Sequence, residues 1–193
     1  MHISEGVLSP AALGGGWILA SAGIAVGLRR SDYARLAAAA AFAAVFFMGS
    51  LIHVPLGPGS VHLMLNGLLG FFLGWAVFPA LLVAMTLQAI LLRQGGLAVL
   101  GVNVALMAIP GLMGHYAFRR WPRPIGPFCC GAFSVAGAAL LAAAALRASH
   151  EGFAASAYIL MAAHAPVALL EGVITAVAAG FMAKARPNLR EPL

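Results

Sequence analysis

Apolar residues run through this chain in long blocks, separated by short clusters of Gly, Pro, Arg and other polar residues. Seven such blocks can be drawn, at roughly 11–28, 35–52, 62–78, 79–93, 97–117, 127–146 and 157–183. Each approaches the roughly 20 residues that a helix needs to cross about 30 Å of hydrocarbon. Breakers mark the intervals: Pro55, Gly57, Pro58 and Gly59 in one, Gly95 and Gly96 in another, Pro122, Pro124 and Pro127 in a third. The third and fourth blocks abut near Pro79. The pattern predicts an all-α, polytopic membrane bundle of about seven transmembrane helices, forming a single integral-membrane domain over residues 1–193. No internal repeat of fixed period interrupts it. The Ala-rich stretches at 37–44 and 138–145 fit close helix approach within a membrane.

Composition sharpens this picture. The chain is 63% hydrophobic and 8% charged with a mean hydropathy of +0.99, whereas a soluble domain carries about 25% charged residues. The lipid bilayer is its solvent, and a bacterial-type inner membrane is the expected location. The net charge of +6 does not indicate nucleic acid, because the basic residues lie between the apolar blocks and follow topology. With the N-terminus outside, Arg29, Arg30, Arg35, Arg119, Arg120, Arg123, Lys184, Arg186 and Arg190 fall on the cytoplasmic side, and Arg93 and Arg147 outside. That split obeys the positive-inside rule, and the opposite orientation would invert it. The first block is not a conventional signal peptide, since no Lys or Arg precedes Arg29 and the basic cluster follows the apolar run. Retention of the true N-terminus is therefore expected. The adjacent Cys129 and Cys130 form neither a disulfide framework nor a CxxC metal site.

In this orientation the polar side chains gather at one depth. His53 ends the second span outside, His62 begins the third, and Asn66 lies one turn below His62 on the same helical face. Gln88, Asn103 and His164 fall in the outer halves of the fourth, fifth and seventh spans. Intramembrane polar groups usually face the bundle interior or a cavity, so their convergence points to an outward-facing pocket. Glu171 lies deeper, where a lone carboxylate serves either helix packing or function. His115, near the cytoplasmic end, and His150, in a loop beside Glu151, are set aside.

The N-terminus Met1-His2-Ile3-Ser4-Glu5-Gly6 carries specific chemistry. A large second residue generally protects the initiator from removal, so the free amine is expected to be that of Met1. That amine and the His2 backbone nitrogen close a five-membered ring on a metal; the same backbone nitrogen and His2 Nδ1 close a six-membered one. Three nitrogens then occupy three corners of a square, a geometry that suits Ni(II) or Cu(II), and an imidazole can take the fourth. His62 follows a Gly-Pro-Gly-Ser turn and is the better placed of two candidates for that corner. His53, in a flexible lead-in before Pro55, is the alternative, as a partner of the ligating imidazole or a metal-gathering group.

These residues resemble the CbiM/NikM family, the substrate-binding components of energy-coupling-factor cobalt and nickel transporters. The resemblance is carried by MHISEGVLSP at 1–10, GPGSVHLMLNG at 57–67, LQAILLRQGGLAVLGVN at 87–103 and HAPVALLEGVIT at 164–175. It implies a seven-span binding subunit whose N-terminal segment tucks into the pocket, with Met1, His2 and His62 holding the ion and the stretch around Asn103 lining the site. It also implies Ni(II) or Co(II) as transported substrate and a link to cobalamin biosynthesis in the cobalt case. The expected partners are a membrane coupling subunit, cytoplasmic ATPase subunits and a small accessory membrane subunit. Many members have Asn where this chain has His53. The chain has no GxxxxGK[ST] phosphate loop, so ATP hydrolysis is expected in trans, with no enzyme chemistry of its own. The competing class, an intramembrane metal- or haem-dependent enzyme or redox subunit, lacks an HExxH pair and an outer-half carboxylate base.

Overall fold

The computed structural model describes residues 3–56 and 59–185. Among them are seven α-helices: α1 Pro10–Arg29, α2 Tyr33–Gly49, α3 Asn66–Leu73, α4 Val77–Leu91, α5 Leu100–Phe118, α6 Ile125–Ser149 and α7 Ala154–Ala185. Local sequence explains where several begin. Ser9 caps α1, its Oγ accepting the Ala12 N–H at 3.3 Å, with Pro10 in the first turn where its missing N–H costs nothing. Asp32 caps α2 through the Arg35 N–H at 2.8 Å.

Packing contacts fix the direction of each helix. Trp17 of α1 donates its indole N–H to the Ala98 carbonyl at 3.1 Å, just before α5 begins. The opposite ends of both helices meet where Arg30 and Arg119 line one cleft, so α1 and α5 run parallel. Asn66 bonds to the Met107 carbonyl, and farther along both chains Phe71 O meets His115 Nδ1, so α3 runs the same way. After α3 the chain passes through a single 3-10 turn, Gly74–Ala76, at the Arg30 and Arg119 end. It then returns along α4 to reach the start of α5. The reversal is made possible by Gly74, whose φ of +54° only glycine adopts readily.

All eight residues of α3 are buried, making this short helix the centre of the bundle. Around it, glycines let backbones touch: Gly70 lies against Gly111, and Gly131 of α6 against Gly172 of α7. α6 and α7 pack along most of their length. The outward surface is apolar, with Ile18, Met48, Ile90, Leu140, Ile159 and Val177 exposed. Five helical stretches are long and apolar enough to cross a membrane, Asn66–Leu91 counting as a single stretch of 26 residues; α2, at 17 residues, is shorter. This is a multi-pass membrane protein.

Three details depart from the sequence pattern. First, a two-stranded antiparallel hairpin, β1 His53–Leu56 and β2 Gly59–His62, interrupts the helices between α2 and α3. Second, His62 ends that hairpin and does not begin a helix. Leu63 to Leu65 continue outside helix, and α3 starts at Asn66. His62 and Asn66 thus do not share a helical face. Third, the chain reverses at Gly74–Ala76 and not at Pro79, which sits in the first turn of α4, where a helix tolerates proline.

The Gly70–Gly111 crossing is testable. A Cβ at Gly70 would strike the Gly111 backbone, which no rotamer change relieves, whereas Gly14 faces open space. Gly70→Val is expected to destabilise by about 1–3 kcal/mol or more and lower Tm in detergent by roughly 5 °C. Gly14→Ala should leave the melting curve in place.

Candidate metal site

One end of the bundle collects His53, His62 and His164. Hairpin register makes His53 and His62 direct partners, with ring centroids 6.2 Å apart at 71°. His62 Nδ1 lies 2.9 Å from the Leu63 carbonyl. A carbonyl can only accept, so Nδ1 carries the proton and Nε2 keeps its lone pair. Burial pushes this imidazole down to about 4 from its usual 6.5, so it is neutral and metal-competent at neutral pH. His53 is exposed, with Nδ1 3.1 Å from the Leu51 carbonyl.

His164 of α7 lies close enough for His62 to feel its charge. Its Nδ1 sits 2.7 Å from the Leu160 carbonyl, and its buried Nε2 has no hydrogen-bond partner among the described residues. Gln88 is fully buried on α4, and neither amide atom has a partner among them. These are the orphaned donors and acceptors that a buried polar site leaves for its occupant.

Asn103 of α5 does something more definite. Its Oδ1 accepts the Ile3 N–H at 3.0 Å, and its Nδ2 donates to the Ile3 carbonyl at 3.1 Å. One side-chain amide thereby replaces a strand partner for a buried residue of the N-terminal segment. The rest of that segment is stitched down as well: Glu5 Oε1 accepts the Ala98 N–H at 3.0 Å, and Ser149 Oγ accepts the Ser9 N–H at 3.2 Å. Met107, one turn beyond Asn103, holds Asn66, so Ile3 and the start of α3 lie about one turn, roughly 5 Å, apart in depth.

Asn66 itself ties helices together. Its Nδ2 donates to the Met107 and Ser134 carbonyls at 3.2 and 3.1 Å, joining α3 to α5 and α6. His115 bonds Phe71 O at the far end of the bundle, and His150 accepts the Gly152 N–H in its loop at 3.0 Å. Met1 and His2 lie outside the described residues. Among the described residues no group of three or more His, Cys, Asp or Glu side chains is placed to hold a metal ion.

Two further residues contribute, Glu171, for which the sequence left packing and function open, and Glu5, which it did not single out. Glu171, fully buried, accepts the Met64 and Leu65 N–H groups, the latter at 2.7 Å, and so supports the non-helical chain that leads from His62 into α3. Glu5 anchors the N-terminal segment beside Gly96, where any Cβ would strike its carboxylate. The Gly95-Gly96 pair was the visible signal for that approach.

Residues 2–189 match the family model described as CbiM, the cobalt uptake substrate-specific transmembrane region. A metal transport protein of Haemophilus influenzae is 44% identical over 98% of this chain and 96% of its own length. The cobalt transport protein CbiM of Sorangium cellulosum is 32% identical over all of this chain and 96% of its own. The fused nickel transport protein NikMN of Archaeoglobus fulgidus is 30% identical over 99% of this chain, which spans 68% of that longer protein. The crystal structure of a transition metal transporter superposes with a TM-score of 0.81 at 24% identity, over 97% of this chain and 95% of that one. At that identity the likeness speaks for the fold.

The Asn103 clamp predicts a local effect. Asn103→Leu keeps the volume and removes both bonds to Ile3, each worth about 1 kcal/mol. Hydrogen exchange at residues 3–8 should accelerate about tenfold or more, with exchange in α6 unchanged.

Proposed function

The chain belongs to the CbiM family of cobalt-uptake transmembrane proteins, and from that premise we propose that it is the metal-capturing membrane component of an energy-coupling-factor transporter importing Ni(II) or Co(II). In this reading a membrane coupling subunit and cytoplasmic ATPase subunits, with a small accessory membrane subunit, supply coupling and energy. The N-terminus faces outside and the seven helices cross in alternation. The distribution of Arg and Lys supports that orientation, and the reversal of direction between α3 and α4 supports the alternation.

The ion is held by the Met1 amine, the His2 backbone nitrogen, His2 Nδ1 and the His62 imidazole. The observation that carries this is the two-point bond between Ile3 and Asn103, residues 100 positions apart. It pins the third residue within the bundle, and two further residues reach no more than about 7 Å beyond it. His62 presents a neutral ring oriented by its Nδ1 contact with the Leu63 carbonyl, and His53, Gln88 and His164 supply polar surroundings at the same end. Four nitrogens in a plane favour nickel over cobalt on coordination grounds.

Adding one residue before Met1, or changing His2→Ala, should eliminate stoichiometric Ni(II) or Co(II) binding by the purified protein in isothermal titration. His62→Ala should weaken it strongly, and His150→Ala should not. Undiminished binding by the extended protein would overturn the chelate.

Proton competition adds a second test. The depressed pKa of His62 means that protons displace metal from it only as pH falls toward about 4. A free amine titrates near 8 and the amide nitrogen must lose a proton to bind. Affinity should therefore already fall by at least about tenfold per unit as pH drops from 7 to 6. A flat affinity over that interval would exclude the amine.

A further inference from the structure

The end of the bundle opposite the histidines holds a cleft of about 210 Å³ between the ends of α1 and α5, the start of α2 and the Gly74–Ala76 turn. Its walls carry three guanidinium groups, Arg30, Arg35 and Arg119, and its remaining lining includes Ser31, His115 and Tyr116. Two arginines are held by aromatic rings: Arg30 lies over Trp75 at 5.2 Å and Arg119 over Tyr116 at 5.3 Å. Cation–π contact orients a guanidinium while leaving its N–H edge open to an anion.

Among the described residues none of the three arginines makes an ion pair, and the nearest acid in sequence, Asp32, is occupied by the Arg35 backbone N–H. Three like charges converging without an ion-pair partner among those residues repel one another, and an anion in the cleft lowers that penalty.

The depth of the cleft identifies the anion's source. Tyr33, Tyr116 and Trp121 are exposed at this end, at 89%, 49% and 49%, forming the aromatic belt that marks the headgroup layer. One turn toward the centre of the bundle from Tyr116, Met113 is 54% exposed on the lipid-facing surface of α5. A phosphate in the cleft thus has its acyl chains beside an apolar wall.

We propose that this cleft seats the phosphate of an anionic phospholipid headgroup, gripped by Arg30, Arg35 and Arg119. The lipid staples α1, α2 and α5 at the end where α3 reverses into α4.

The test is native mass spectrometry of the purified protein exchanged into vesicles of phosphatidylglycerol and phosphatidylcholine. Wild type should retain phosphatidylglycerol selectively. Retention should fall about five-fold for each arginine removed in the series Arg30→Gln, Arg35→Gln, Arg119→Gln. Arg93→Gln and Arg147→Gln, at the other end, should retain it fully. Replacing the three with Lys should preserve most retention, which separates lost charge from lost folding. Inorganic phosphate at equal concentration should not displace the lipid; displacement would overturn the headgroup in favour of free phosphate. Equal loss in the Arg93 and Arg147 controls would overturn the site. Unchanged retention in the Gln series, with loss of binding to partner subunits, would make the cleft a protein interface and end the proposal.

Discussion

Hydrocarbon offers no hydrogen bonds, so any backbone inside the bundle that leaves helical geometry must find its partners within the protein. The chain does so at two places, by the same device. Met64 and Leu65 enter the core outside helical hydrogen bonding, Leu65 with a left-handed backbone (φ +49°), because Glu171 reaches across from α7 to accept both N–H groups. Ile3 is held in the interior because the Asn103 amide accepts its N–H and donates to its carbonyl. One polar side chain on a rigid helix serves each irregular segment. The histidine end of the bundle can then contain loops where a plain bundle would contain only helices. Without those two residues, both segments would belong in water.

This device explains what the sequence shows and what it hides. Long apolar runs report helices well, because length and hydropathy follow from bilayer thickness, and α1, α2, α5, α6 and α7 begin and end within a few residues of the pattern. Convergence of His62, Asn103 and His164 on one end was also legible, since depth along a span follows from counting residues. The non-helical lead-in to α3 was not. Leu63 to Leu65 are apolar and read as more helix; only Glu171, 106 positions or more away in sequence, makes them something else. A carboxylate's partners are set by tertiary packing and leave no local trace. For the same reason the sequence does not show that the Asn66 Nδ2 joins α3 to α5 and α6, while its Oδ1 has no partner among the described residues.

The reversal at Gly74 follows from similar physics. The eight residues of α3 rise about 12 Å, less than half the hydrocarbon thickness, so α3 alone is too short to cross it. Pro79 drew attention as the boundary because proline ends helices. Yet within a first turn its missing N–H is no loss, while a positive φ at Gly74 is what a chain needs to turn back. Glycine's conformational freedom outweighs proline's rigidity here. The turn also places Trp75 beneath Arg30, so one local choice shapes the basic cleft as well.

The two ends of the molecule differ in electrostatic character, and this bears on how a captured ion could leave. At the Arg30 and Arg119 end, three arginines share one cleft with no ion pair among the described residues. At the histidine end the groups nearest His62 are imidazoles and amides, and Glu5 is engaged with the Ala98 backbone. In the proposed chelate a dication would meet one deprotonated amide and three neutral nitrogens, keeping a net positive charge. Carboxylate ligands would hold it more strongly through Coulomb attraction in this low-dielectric setting. A nitrogen chelate instead binds through geometry and deprotonation, so returning one proton to the amide nitrogen breaks two fused rings at once. Reversibility is then built into the ligand set, and capture and release can be governed by whether the N-terminal segment remains clamped at Asn103.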